Sequence, residues 1–330
     1  MKGECLLIKK ESPVPYKLLG LKVLERRLLT SSGKVDVIRE QLRTAQAGVN
    51  GEKRLQEVFE KYTFPFEYYV FHGLNLRSTG KFQIDTLFLS HVGAVLLEMK
   101  NIGGYIRFSE NSGQLIRTLE NGQVDMFECP SVQLNRNKML LGDWFHMRQM
   151  VMPIYGAVVF SKPQQKIDNT REDLKILFPL EVPGYLRSFG HSSDCVDSLT
   201  LQRVVTELEA ADRAYNPFPI CATYHINPRD IATGVRCEAC GMFGMKRISR
   251  GWGCKKCGHI DRHAHRQAIA EWFMLFGGMM TNRACREFLH VADVDVAKRL
   301  LSGMDISFRG TTKGREYWMD MKDIVKNSRA

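Results

Sequence analysis

Asp85, Glu98 and Lys100 have the types and spacing to hold a divalent cation. Asp85 lies in the apolar run Phe82-Gln-Ile-Asp-Thr-Leu-Phe-Leu-Ser, and Glu98-Met-Lys closes the run Ala94-Val-Leu-Leu-Glu-Met-Lys-Asn. His91-Val-Gly93 separates them, and two apolar runs around a short break containing Gly predict a β-hairpin. Residues two apart in a strand share a face, so Glu98 and Lys100 project together and Met99 points into a core. An antiparallel register can then bring Asp85 beside Glu98. Two carboxylates and an ammonium on a largely apolar sheet are costly to desolvate. A cation such as Mg²⁺, held by one or two carboxylates together with water and phosphate oxygens, offsets that cost.

A second group of residues suits a different metal. Cys237-Glu-Ala-Cys240 and Cys254-Lys-Lys-Cys257 are two Cys-x-x-Cys knuckles, each followed by Gly. Four thiolates at ~2.3 Å complete a tetrahedron around one Zn²⁺ and leave no open position, which predicts a structural site. A redox Cys-x-x-Cys is the alternative, disfavoured because there are two of them. His259, His263 and His265 are read as helix-surface residues rather than ligands. Lys246, Arg247, Arg250, Lys255 and Lys256 with Trp252 make this ribbon basic and aromatic, which suits nucleic acid.

The first group sits inside a longer order of motifs. Ala47-Gly-Val-Asn-Gly-Glu52 precedes a helical pattern, Gln83-Ile-Asp85 opens a strand, Glu98-Met-Lys-Asn-Ile-Gly-Gly104 follows, and Pro130-Ser-Val-Gln133 begins a helix. Residues 40–160 thereby resemble the nuclease-related domain, NERD, of the PD-(D/E)xK nuclease superfamily. The resemblance implies metal-dependent hydrolysis of phosphodiester bonds in DNA, with Mg²⁺ or Mn²⁺ held by Asp85 and Glu98. It also implies that Lys100 orients water or stabilises charge, that Glu52 completes the site and that Gln83 positions substrate. Ile84 stands where the superfamily's namesake motif has Pro. Read alone, Glu52 is a charge favourable to the first turn of a helix starting after Gly48 and Gly51. A restriction or defence endonuclease and a DNA-processing enzyme both fit. A non-cleaving DNA-binding regulator or repair accessory protein remains the alternative.

The 330 residues are 44% hydrophobic and 25% charged, an ordinary globular composition. Net charge is +11, and residues 221–330 carry 19 Lys and Arg against 11 Asp and Glu, which favours a polyanionic partner. Apolar stretches are too short for a membrane span and the N-terminal apolar run too short for a secretory signal, so the expectation is a cytoplasmic protein. No Walker-type glycine loop is present, so no ATP-driven step is expected. A homodimer is compatible with two-strand cleavage.

These elements predict an α/β restriction-endonuclease-like core with a mixed sheet, a small four-cysteine zinc ribbon and a C-terminal winged-helix-like domain. Residues 1–46 are expected to form a helical segment packed on the core, 47–165 the nuclease-like domain, 166–230 a connecting region, 231–262 the ribbon and 263–330 the winged-helix-like domain. In the last, Thr281 and Asp293 cap two short helices and Asp305–Asp320 reads as a hairpin. Lys298, Arg299, Lys313 and Arg315 are its expected DNA contacts.

Overall fold

The structure, a computed structural model, describes residues 7–10, 14–109, 113–162, 165–170, 174–189, 196–311 and 314–328. The chain divides into two compact units, residues 1–15 with 45–215 and residues 16–44 with 216–330. Strand β1 (Leu7–Lys10) precedes helix α1 (Tyr16–Arg27) and the 27-residue helix α2 (Val35–Lys61), whose residues contribute to both units.

The continuity of α2 departs from the sequence expectation of a break at Gly48 and Gly51. Gly in a helix interior costs ~1 kcal/mol relative to Ala, too little to end a long helix whose Leu55, Val58 and Phe59 are buried. Gly51 is small for reasons of space: a Cβ there would lie 3.0 Å from Asn101 Cβ and 3.1 Å from Met99 Cγ. Glu52 therefore sits mid-helix, and the first-turn dipole reading of its charge fails.

In the first unit, β2 (Tyr68–Arg77), β3 (Lys81–Ser90) and β4 (Gly93–Lys100) form an antiparallel meander. Strands β5 (Tyr105–Phe108), β6 (Gln114–Thr118) and β7 (Val124–Glu128) follow, then helix α3 (Pro130–His146) and strand β8 (Ile154–Phe160). Strands β9 (Ile167–Asp168) and β10 (Ile176–Leu177) and helices α4 (Val182–Ser188) and α5 (Ser198–Ala211) complete it. The main sheet has the order β1-β2-β3-β4-β8-β10, with β1, β8 and β10 added in parallel. A smaller sheet has the order β7-β6-β5-β9.

Both faces of the main sheet are covered. Ala94 and Leu96 of β4 join a core with Leu134, Leu141 and Trp144 of α3 and Leu201, Val204 and Leu208 of α5. Val95, Leu97 and Met99 join the opposite core with Leu55, Val58 and Phe59 of α2 and Val182 and Leu186 of α4. Burial on both faces is why β3 and β4 read as continuous apolar runs. Alternation along β4 then places Glu98 and Lys100 on the α3 side. In β3 the alternation breaks at Asp85, because Ile84 and Leu87 belong to the same core. The ladder places Leu74 opposite Ile84 and His72 opposite Thr86. Gly73, between them on β2, has φ +60°, a conformation that glycine adopts without strain.

The second unit holds α6 (Ile220–Thr223), the small sheet of β11 (Lys246–Ile248), β12 (Gly251–Gly253) and β13 (Ile260–Asp261), and α7 (Ala264–Phe276). Strand β14 (Met280–Thr281), helices α8 (Asn282–Leu289) and α9 (Val294–Ser302), strands β15 (Ser307–Arg309) and β16 (Glu316–Trp318) and helix α10 (Met321–Ser328) follow. The last three strands form an antiparallel sheet in the order β14-β16-β15. Thr281 Oγ1 accepts from Ala284 N, and Asp293 Oδ1 accepts from Asp295 N and Val296 N, as the expected caps require.

Helix α1 packs on α6 and α7, not on the nuclease-like core where the sequence reading put it. Its last residue explains the choice. Arg27 is fully buried, and its Nε donates to Glu271 Oε2 of α7 at 2.5 Å. Its Nη1 donates to Ala232 O at 2.8 Å and Gly234 O at 3.2 Å. The guanidinium lies 4.8 Å from the ring centroids of both Phe243 and Phe288. Arg26 also pairs with Glu271. Removing one partner of a buried pair strands the other charge, at ~3–5 kcal/mol. Glu271→Ala and Arg27→Ala should each lower stability by about that amount in chemical denaturation. Loss of under about 0.5 kcal/mol, the usual range of surface substitutions, would refute the anchoring role.

Candidate metal centres

The hairpin register brings the first group together. Thr86 pairs with Leu97, and one step further Asp85 stands opposite Glu98. There the Asp85 side chain takes over from the strand ladder, Oδ2 accepting from Met99 N at 2.9 Å. Glu98 is only 3% exposed, and its Oε1 accepts from Lys100 Nζ at 2.8 Å. Lys100 Nζ also donates to Gln133 Oε1 of α3 at 2.8 Å. Asn137, one turn on, donates from Nδ2 to the carbonyl of Gln83 at 2.8 Å. Gln83 thus joins the site through its backbone, and its side chain is exposed.

Glu52 is half-buried on α2. Burial pushes its carboxyl up to about 7, and the charge of Asp85 adds to the rise. Burial likewise pushes Glu98 up to about 7, with Asp85 adding and Lys100 and Arg136 opposing. Burial raises Asp85 as well, against the pull of the Met99 N–H and the Lys100 ammonium. Asp85 thus stands in the field of both Glu98 and Glu52, and Lys100 is the ammonium that opposes the rise of Asp85 and Glu98. Two carboxyl groups side by side at the end of a strand, next to an ammonium, fit a hard divalent cation.

Secondary contacts hold α2 at this point. Asn101 Nδ2 donates to Ala47 O at 2.6 Å, and Ser161 Oγ donates to Asn101 Oδ1 at 2.5 Å. Arg54 Nη1 donates to Ser161 O at 2.9 Å. Gln133, Asn137 and Asn101 were not among the expected site residues. Gln133 lay in a recognised motif block, but its partner became visible only when α3 was placed over β4.

The second unit contains the zinc-type group. The Sγ atoms of Cys237, Cys240, Cys254 and Cys257 all lie within 4.8 Å of one another. Cys237 and Cys257 are separated by 3.7 Å and Cys240 and Cys254 by 3.6 Å. Four sulfurs ~2.3 Å from one Zn²⁺ stand ~3.8 Å apart in a tetrahedron, so the cluster is compatible with a structural zinc. The two knuckles repeat one geometry. Gly241 N donates to Cys237 O and Gly258 N to Cys254 O, with φ of +75° and +74° at the glycines. The Cys257 backbone N–H pulls the Cys254 thiol down to about 6, while Cys257, against the His259 backbone N–H, is pushed up to about 12 by burial and the neighbouring sulfurs. His259 and His263 are exposed, as expected, but both precede α7 rather than lying on it. His265 is not a surface residue: it is 6% exposed, its ring stacks on Trp252, and Trp252 Nε1 donates to its Nδ1 at 3.3 Å. Burial pulls it down to about 4, so it stays neutral.

Of the expected DNA contacts, Lys298 and Arg299 are exposed on α9, and the Arg315 guanidinium lies 4.4 Å from the Phe308 ring centroid. Lys313 lies outside the described residues.

Comparison with protein families matches residues 47–161 to the nuclease-related domain. The chain therefore carries a nuclease-related domain, and with it the PD-(D/E)xK superfamily is implied. That family suggests a nuclease-like function with a divalent metal and a nucleic-acid substrate. Comparison with curated proteins and with solved structures returned no match. Among the described residues, no helix is long and apolar enough to cross a membrane.

A carboxyl raised from 4.5 to about 7 holds its proton more tightly folded than unfolded. Its contribution to stability is complete below pH 4.5 and is lost as pH rises through about 7. Metal-free protein should lose melting temperature over that interval, more than Glu98→Gln does, and Mg²⁺ or Mn²⁺ should restore more at pH 8 than at pH 6. Equal cation effects at both pH values would contradict the site. Separately, freshly purified protein should carry about one zinc per chain, lost in Cys254→Ser. Metal content near zero in the wild type would remove the ribbon.

Proposed function

We propose that the chain is a metal-dependent DNA endonuclease, used in restriction, defence or DNA processing. The observation that carries the reading is the convergence of Asp85, Glu98 and Lys100, with Glu52 in their field and Gln133 holding Lys100. Asp85 and Glu98 would hold Mg²⁺ or Mn²⁺, with Glu52 completing the donor set. When bound, the cation polarises the scissile phosphate and lowers the pKa of its water. Lys100, fixed between Glu98 and Gln133, presents an ammonium to the attacking water or to the charge that builds on the phosphate oxygens. The backbone at Gln83, tied to α3 through Asn137, positions substrate beside it.

We further read α7-β14-α8-α9-β15-β16 as a winged helix. The order helix, strand, helix, helix, strand, strand and the sheet order β14-β16-β15 support this. The exposed Lys298 and Arg299 of α9, and Arg315, would then face DNA phosphates or base edges. The four-cysteine ribbon would brace this half with zinc. A dimer in the cytoplasm would allow both strands to be cut. A DNA-binding protein that does not cut is the competing reading, and the intact Lys100–Glu98 pair weighs against it.

One plasmid assay with Mg²⁺ or Mn²⁺ tests both halves. Asp85→Asn keeps an acceptor for Met99 N, and Lys100→Met keeps most of the volume. Each should lower cleavage on the order of 10²-fold or more. Lys298→Ala/Arg299→Ala should weaken DNA binding while leaving the metal response intact. Equal nicking by wild type, Asp85→Asn and Lys100→Met would assign the activity to a contaminant and overturn the nuclease reading. Unchanged DNA affinity in the double variant would overturn the recognition role of α9.

A further inference from the structure

Beyond Lys100 the chain passes along a cleft in the first unit that the metal site does not use. Arg54, Leu119, Glu120, Lys162, Gln165 and Lys166 are among the residues enclosing about 800 Å³, within the ~300–1,000 Å³ of ordinary ligand sites. Three cations stand against Glu120 in this lining.

Two of the cations are tied to the ends of the catalytic strands. Arg54 lies two residues after Glu52 on α2 and donates to Ser161 O at 2.9 Å. Ser161 N donates in turn to Lys100 O at 3.0 Å. Lys162 follows Ser161 directly, and its ammonium lies across the loop that leaves Lys100. A Cβ on Gly103 would sit 2.5 Å from Lys162 Nζ, so the ammonium occupies the space that this glycine leaves open. Lys166 reaches over the Tyr105 ring at 5.2 Å and stands 3.7 Å from Asp168. Arg54 and Lys162 are thus fixed beside the segment that carries the catalytic lysine.

The cleft also carries an unmet acceptor. Gln165 Nε2 donates to Gly104 O at 3.2 Å, which defines the orientation of the amide. Its Oε1 is buried and without a hydrogen-bond partner among the described residues. A buried acceptor left unpaired costs ~1–3 kcal/mol, so a donor from a ligand would be well placed there. Cations for phosphate oxygens, a buried amide oxygen for an amino or hydroxyl group, and the apolar surface of Leu119 together match one nucleotide unit.

We propose that this cleft binds the nucleic-acid strand flanking the scissile phosphate, with Arg54, Lys162 and Lys166 on its backbone and Gln165 on a base or sugar donor. The inference rests on the nuclease reading for its orientation. Its test is separate, because binding is read without cutting.

The experiment measures anisotropy of a labelled oligonucleotide with full-length protein in chelator, across a salt series, for wild type, Lys162→Ala/Lys166→Ala and Glu120→Gln. Zinc content is checked in each preparation. The double variant should bind more weakly and lose about 2 from the slope of log affinity against log salt, one for each ammonium. Glu120→Gln should bind about two- to threefold more tightly, the result of removing one opposing charge at ~0.4–0.7 kcal/mol, and a misfolded variant would not gain affinity. Unchanged slope in the double variant, or weaker binding by Glu120→Gln, would overturn the proposal. Displacement of the oligonucleotide by millimolar mononucleotide from wild type but not from the double variant would reassign the cleft to a free nucleotide and also overturn it. If cleavage proves absent while these binding changes appear, the nuclease reading fails and the cleft stands.

Discussion

Glu98 is the constraint on which the first unit turns. A carboxyl 3% exposed and beside Asp85 resists ionisation unless positive charge is supplied. Lys100 supplies part of it, and only because β4 places two residues of the same parity, Glu98 and Lys100, on the α3 face. The surrounding structure serves that placement. The β3–β4 register aligns Asp85 with Glu98, α3 brings Gln133 to Lys100, and the absence of a side chain at Gly51 lets α2 lie against Met99 and Asn101, with Glu52 in the field of Asp85.

The second unit depends on a different buried charge. Arg27 is held by Glu271, two carbonyls and two aromatic rings, and these come from α7, the loop after residue 231, the ribbon and α8. One side chain thereby joins α1 to the region carrying the four-cysteine cluster. A guanidinium suits this role because its planar fork bonds and stacks at once.

Much of the first site was legible in the sequence, for physical reasons. The period of two in a strand puts Glu98 and Lys100 on one face, and two apolar runs around a Gly-containing break imply the hairpin. The cluster of four cysteines was legible because ligand spacing in a knuckle is local. What was not legible was non-local. Nothing in residues 16–27 says which apolar surface Leu18, Leu21 and Leu24 will cover, and Arg27 meets Glu271 from 244 residues away. The glycines in α2 read as a break because sequence cannot distinguish a glycine needed for a turn from one needed for close approach. His265 read as a surface residue because the ring that covers it, Trp252, reaches it only after the ribbon folds.

Asp85 and Glu98, with Glu52 in the field of Asp85, would form one cation site whose carboxyls burial raises, so that cation binding displaces protons from them. Calorimetric titration of metal-free, full-length protein with Mn²⁺ at about pH 6.5, in buffers of different ionisation enthalpy, tests it most directly. The account predicts saturable binding with release of about one proton or more per cation, and loss of that release in Asp85→Asn. Binding without proton release, or binding unchanged in Asp85→Asn, would contradict it.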